Sequence, residues 1–99
     1  MVKHIVLFKL KETLSPAEKA DIMNRFKTAI EALPATIPFI RDIHVGMNEN
    51  PAEVWDICLD SNFDTLDDVK AYAIHPAHVA AAGILKEAKE NRACVDYTI

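Results

Sequence analysis

The chain has 99 residues, of which 51% are hydrophobic, and this composition predicts one folded domain over residues 1–99 rather than a disordered segment. Its formal net charge of -4, with eleven basic residues scattered along the sequence, disfavours binding to nucleic acid or to anionic lipid. No apolar run reaches the ~20 residues that span a bilayer, so we expect no membrane partner.

The first predicted strand covers residues 2–11, where the side chains alternate between two faces. One face has Val2, His4, Val6, Phe8 and Leu10. The other face has Lys3, Ile5, Leu7, Lys9 and Lys11. Because apolar side chains occur on both faces, both sides of this strand are expected to be covered.

The first predicted helix begins at the sequence "SPAE", with Ser15 as its N-cap and Pro16 in the first helical position. Glu18 completes a capping box with Ser15, because its side chain can reach back to the N-cap backbone. An apolar stripe at helical spacing continues this helix to about Leu33.

The remainder of the chain predicts two strands, a broken helix and a last strand. Strands are expected at residues 39–47 and 53–63, and Asp64 is expected to cap a helix that ends at about Ala73. Pro76 begins a third helix through residue 90, and residues 92–99 alternate as the final strand. The order β-α-β-β-α-β predicts an α+β, ferredoxin-like fold, an antiparallel sheet with helices on one face.

A sheet with helices on one side only should be polar on its free side, yet Ile5 and Leu7 lie there. The simplest explanation is a second copy of the chain, so we predict a homodimer that pairs through the sheet face. The alternative is a monomer in which the stems of neighbouring lysines shelter these side chains. Cys58 and Cys94 form neither a C-x-x-C pair nor a disulfide framework, which indicates free thiols and a cytoplasmic location.

The segment "YAIHPAHV" (residues 72–79) concentrates the candidate functional residues. Pro76 forces His75 out of the helical region, which places His75 at the N-cap and His78 at the third helical position. The positive end of a helix favours a neutral imidazole, which can act as a base, and Tyr72 is close enough to share its pocket. Two alternatives remain: His78 has only a packing role, or His75 and His78 bind a metal. A zinc ion needs further ligands that the sequence does not supply, so no metal site is predicted.

The segments "VKHIVLFKLKE", "YAIHPAHV" and "CVDYT" resemble the stress-responsive A/B barrel (Dabb) family over nearly the whole chain. The resemblance implies a ferredoxin-like protomer that forms a dimeric α+β barrel, with plant members associated with stress. In a plant polyketide cyclase of this family, the residues matching His78 and Tyr72 are the catalytic pair, and the residue matching His4 lines the same pocket. No metal or other cofactor is implied.

This chain departs from that cyclase at Ile57, where the cyclase has a further pocket histidine. Ile57, with Trp55 and Leu59 on the same strand, is expected to form an apolar wall. Together with His4, His75 and Phe8, these residues predict a pocket for a small hydrophobic or aromatic molecule between sheet and helices. The alternative is a metal-independent lyase or polyketide cyclase that uses His78 as general base and Tyr72 as hydrogen-bond donor. A monooxygenase, known in the wider superfamily, has no residue that specifically supports it.

Overall fold

The computed structural model describes residues 1–99 and contains four strands and three α-helices. In chain order these are β1 (Val2–Leu10), α1 (Pro16–Glu31), β2 (Asp42–Met47), β3 (Ile57–Phe63), α2 (Leu66–Ile74), α3 (Pro76–Ala82) and β4 (Lys89–Thr98). The strands form one antiparallel sheet in the order β2-β3-β1-β4. The predicted ferredoxin-like α+β fold is confirmed.

The register of the sheet decides which side chains share a face. β1 is a central strand, and its His4 is paired with Ser61 of β3 and with Asp96 of β4. Directly paired residues point to the same side of an antiparallel sheet. Since His4, Val6 and Leu10 are buried under the helices, the side chains of β4 that are paired with them also point to the helical side.

The hydrophobic core lies between this face of the sheet and the helices. Its largest fully buried side chains include the aromatic rings of Phe26, Phe63 and Tyr72. Phe26 and Ile30 lie one helical turn apart on α1, which agrees with the stripe expected from the sequence. Two of these rings, Phe26 and Tyr72, also line the cavity of the candidate site.

The start of α1 confirms the predicted capping box. The Ser15 hydroxyl accepts a hydrogen bond from the Glu18 amide at 3.1 Å, and the Glu18 carboxylate accepts one from the Ser15 amide at 2.9 Å. The predicted cap of α2 is wrong. Thr65, not Asp64, accepts the hydrogen bond from the Asp68 amide, because Asp64 is engaged by the Arg41 guanidinium, whose Nε lies 3.0 Å from a carboxylate oxygen.

Other boundaries also differ from the predictions: α1 ends at Glu31 instead of Leu33, and β4 begins at Lys89 instead of residue 92. β2 begins at Asp42 and β3 at Ile57, so Trp55 precedes its strand instead of lying within it. α3 ends at Ala82 and is followed by a single 3₁₀ turn, Gly83–Leu85. The chain leaves the helix this early because Lys89 is already paired with Leu10 of β1, and pairing with the sheet overrides helix propensity there.

The second face of the sheet has no helix on it. Ile5 and Leu7 of β1 lie on this open face beside Val95 of β4, which is 53% exposed. Cys58 and Cys94 are free thiols on strands that β1 separates. The longest helix, α1, has 16 residues, and no helix has both the length and the apolar character that crossing a membrane requires.

Candidate ligand-binding site at the His-Pro corner

A cavity of about 130 Å³ lies between the sheet and the helices, beside the junction of α2 and α3. Its floor is apolar and includes Phe8, Phe26 and Leu59. Five of the other lining residues have polar groups in their side chains: His4, Tyr72, His78, Lys89 and Arg92. An apolar pocket with a few convergent polar groups is the usual form of a small-molecule site.

The corner itself is built by the His-Pro pair, as the sequence predicts. His75 has extended backbone angles, φ -65° and ψ 133°, and α3 begins at Pro76. The His75 imidazole accepts a hydrogen bond from the Ala77 amide through Nδ1 at 3.1 Å. His75 therefore caps α3, and it does not line the cavity.

His78 lines the cavity, and a backbone carbonyl group determines which of its two ring nitrogens is protonated. Its Nδ1 lies 2.9 Å from the carbonyl oxygen of Ala73, which can only accept, so Nδ1 carries the proton. The lone pair of the neutral ring is then on Nε2. Burial lowers the pKa of His78 below its ordinary value; the Ala73 carbonyl opposes this shift, and the charge of Arg92 adds to it. Such a ring can accept a proton at neutral pH.

Tyr72 contacts His78 directly and is 1% exposed. The centroids of the two rings are 4.3 Å apart, inclined at 49°. The Tyr72 hydroxyl is buried and has no hydrogen-bond partner in the protein. Burial raises the pKa of Tyr72 well above its usual range, so the hydroxyl stays protonated and is able to donate a hydrogen bond.

His4 forms the opposite side of the aromatic cluster. Its ring centroid is 6.0 Å from that of Tyr72, in an edge-to-face arrangement. His4 Nδ1 donates a hydrogen bond to the Asp96 carboxylate at 2.5 Å. This contact holds the ring orientation and leaves Nε2 without a protein partner.

The other residues that were predicted to line the pocket do not lie together. Phe8 lines the cavity, and its ring centroid is 5.6 Å from that of Phe26. Ile57 is buried in the core and does not line the cavity. Trp55 and Ile57 line a groove of about 330 Å³ together with Leu7 of the open face, so only Leu59 of the expected apolar wall of Trp55, Ile57 and Leu59 lines the cavity. The cause is the late start of β3, which leaves Trp55 outside the strand alternation.

Four residues of β4 near the cavity were missed by the sequence reasoning: Lys89, Arg92, Cys94 and Asp96. Arg92, Cys94 and Asp96 are every second residue of the predicted last strand. Because alternate residues of a strand point to the same face, this spacing was the signal that the three side chains lie together.

One group of β4 and β1 ligand atoms could surround a cation. His4 Nδ1, the Cys94 thiol and an Asp96 carboxylate oxygen lie within 4.8 Å of one another. Burial raises the pKa of the Cys94 thiol, and the nearby Asp96 charge adds to this, which disfavours the thiolate that a metal would need. Arg92 also places a positive charge beside this thiol. The donor set therefore fits a hydrogen-bonded group better than a metal ion.

Comparison with known sequences decides the family. The sequence model of the Stress responsive A/B Barrel Domain, Dabb, matches residues 2–99. The chain belongs to the Dabb family. Among proteins of established name, olivetolic acid cyclase of Cannabis sativa is similar to this Dabb protein, with 25% identity over 100 residues that cover 98% of this chain and 95% of the cyclase.

Solved structures with the same fold include two from bacteria. A dimeric protein of unknown function with a ferredoxin-like fold from Bacteroides fragilis is 63% identical, with a TM-score of 0.97 over 99% of this chain and 95% of that chain. A dimeric ferredoxin-like protein of unknown function from Thermobifida fusca is 29% identical, with a TM-score of 0.83 over 99% of this chain and 90% of that chain. Both of these bacterial proteins are described as dimeric.

Proposed function

We propose that this Dabb protein binds a small hydrophobic or aromatic molecule, with one carbonyl or hydroxyl group, in the cavity beside the His-Pro corner. The observation that carries the proposal is the buried Tyr72 hydroxyl without a partner. An unpaired buried polar group costs about 1–3 kcal/mol. A ligand oxygen that accepts a hydrogen bond from Tyr72 would remove that cost, so the free energy of the unpaired hydroxyl favours binding.

The size of the cavity restricts the ligand. An apolar cavity of about 150 Å³ holds a benzene molecule. The cavity here, about 130 Å³, is of that order, and its floor is formed by Phe8, Phe26 and Leu59. We therefore infer a single ring or a short branched chain, with its oxygen near Tyr72.

Thermal unfolding with a panel of one-ring alcohols, phenols and ketones tests this proposal. A ligand at a hundred times its Kd stabilises a one-site protein by about 2.7 kcal/mol, which a melting curve resolves. The stabilisation should fall in Tyr72→Phe and persist in Tyr97→Phe, since Tyr97 is 46% exposed and outside the cavity. A panel that shifts no melting temperature in the wild-type protein would reject the binding proposal.

A second candidate is catalysis by proton abstraction, as in a metal-independent lyase or cyclase. It is supported by the Nε2 lone pair of His78, which the hydrogen bond from Nδ1 to Ala73 establishes, and by the similarity to olivetolic acid cyclase. His78 Nε2 would take a proton from the carbon next to a carbonyl group. Tyr72 would donate a hydrogen bond to the enolate oxygen that forms, and the enolate carbon would attack a second carbonyl of the same molecule.

The proton abstraction can be tested before a substrate is identified. Acetophenone has one ring and exchangeable hydrogens next to its carbonyl group, so NMR in D₂O follows their replacement by deuterium. Exchange should exceed that in buffer with equimolar imidazole and fall about 10²–10⁴-fold in His78→Gln, the usual contribution of a general base. His75→Gln is the matched control, because His75 lies outside the cavity. Equal exchange rates in wild type and His78→Gln would exclude His78 as the base.

We further propose that this chain forms a homodimer through the open face of the sheet. The similarity to dimeric proteins at 63% and 29% identity and the apolar side chains Ile5, Leu7 and Val95 support this. Light scattering should give twice the 11.0 kDa mass of the chain. Leu7→Lys should yield monomers, whereas Ile74→Lys should not, because Ile74 is 80% exposed on the helical side. A wild-type protein of single-chain mass at micromolar concentration would contradict the dimer.

The free thiols Cys58 and Cys94 favour a reducing compartment, and on that ground we place the proposed function in the cytoplasm.

A further inference from the structure

Two cationic side chains at the cavity distinguish it from an ordinary apolar pocket. Lys89 and Arg92 both line it. Arg92 is paired with Phe8 across the sheet, so its side chain is on the helical face with the cavity floor. Lys89 is paired with Leu10, which is also buried under the helices. Lys89 and Arg92 are three positions apart on β4, and both line the cavity because the register of β4 against β1 shifts between Lys9 and Leu10.

These two cations are unpaired, in contrast to most others in this acidic chain. Salt bridges occupy the basic side chains of Lys3, Lys9, Lys19, Arg25, Lys27 and Arg41. Neither Lys89 nor Arg92 has a carboxylate partner; the adjacent Glu90 pairs with Lys9, and Asp96 binds His4. Three other lysines are also unpaired, but none of them lines a cavity: Lys11, Lys70 and Lys86.

We infer that the cavity selects an aromatic carboxylate: its ring lies on the apolar floor, and its carboxylate is bound by Lys89 and Arg92. The inference rests on the proposed binding function and names the class of ligand for that site. A planar guanidinium binds a carboxylate through two parallel hydrogen bonds, and the lysine adds a second positive charge. An inorganic anion would leave the floor of Phe8, Phe26 and Leu59 without contact.

The buried Tyr72 hydroxyl supports the same orientation. It has no partner and belongs to a residue that lines the cavity, while the two cations approach from β4. A ring with a carboxylate on one side and an oxygen substituent on another presents an acceptor to each group. This pattern identifies a hydroxylated or oxo-substituted aromatic acid, of about the size of benzoate, as the best match.

Calorimetric titration with benzoate and benzamide tests the inference, because the two probes have the same shape and differ in charge. At low salt the wild-type protein should bind benzoate at least tenfold more tightly, and added NaCl should reduce the difference. The variant with both Lys89→Gln and Arg92→Gln should lose this preference and bind the two probes with similar affinity. Lys86→Gln is the matched control and should retain the preference, since Lys86 is unpaired but outside the cavity.

The outcomes separate this inference from the proposal on which it rests. If benzamide binds as tightly as benzoate, or if the double variant keeps the preference, the carboxylate inference is wrong while the cavity remains a ligand site. If neither probe binds and neutral one-ring compounds also fail, both are overturned. Melting curves of the variants check that they are folded. We expect them to fold normally, because both substituted side chains are exposed.

Discussion

Substitution of Tyr72 by phenylalanine is the most direct test of the free-energy cost of its unpaired hydroxyl. The phenyl ring keeps the contacts of the tyrosine ring with His4, Phe63 and His78, whose centroids lie 6.0, 5.1 and 4.3 Å away. The change removes only a hydroxyl that is buried without a partner. We therefore expect the variant to be more stable than the wild-type protein while it binds ligand less well.

The size of the effect follows from the penalty of an unpaired buried group. Removing a penalty of about 1–3 kcal/mol raises the free energy of unfolding by the same amount. For a domain of this length, 1 kcal/mol corresponds to roughly 4–8 °C in Tm. An increase of at least 4 °C in Tyr72→Phe is the expected result.

The assay is urea and thermal unfolding at one fixed protein concentration, because assembly makes stability depend on concentration. Tyr97→Phe is the control, since it removes the same hydroxyl from a side chain that is 46% exposed and should change stability by less than about 0.5 kcal/mol. If Tyr72→Phe is destabilised by 1 kcal/mol or more, the hydroxyl is already hydrogen-bonded in the unliganded protein. The free-energy argument for ligand binding is then refuted.

Three further predictions test the fold and the histidine. Ser15→Ala removes the N-cap of α1 and should destabilise the protein by about 1 kcal/mol in urea unfolding, with its m-value unchanged. Phe26→Ala truncates a ring that is 1% exposed and should cost about 3–5 kcal/mol, measured in the same way. Because the folded state lowers the pKa of His78, the unfolded chain takes up that proton first as the pH falls below ~6.5, and stability is lost there. His78→Gln should therefore lose less stability between pH 8 and pH 5 than the wild type, and an equal loss would contradict the neutral imidazole.

Local hydrogen bonds explain which details of the fold were predictable. The capping box of Ser15 and Glu18 and the helix start at Pro76 depend on residues within three positions of one another. Their side chains meet whenever the helix forms, so the sequence alone suffices. The cap of α2 was not predictable in this way. Asp64 and Thr65 are both good caps, and the choice was made by Arg41, which is 23 positions away from Asp64 and captures its carboxylate.

In the candidate site, too, the features that depend on nearby residues were predictable, and those that depend on the boundaries of a strand were not. His78 and Tyr72 were identified from a stretch of eight residues, and the structure brings their rings together. Trp55 was expected beside them and lies on the open face instead, because β3 begins only at Ile57. The strand alternation from which its orientation was predicted therefore does not apply to Trp55.

The sequence by itself determined the order of strands and helices, the Dabb resemblance and the His-Pro corner, because these depend on periodicity and on neighbours along the chain. Only the tertiary structure decided that Asp96, 92 positions from His4, holds that imidazole, and that Lys89 and Arg92 line the cavity. It also decided that the Tyr72 hydroxyl is left without a partner. The physical reason is strand register: it brings distant residues to one face of the sheet, and a single strand does not contain that information.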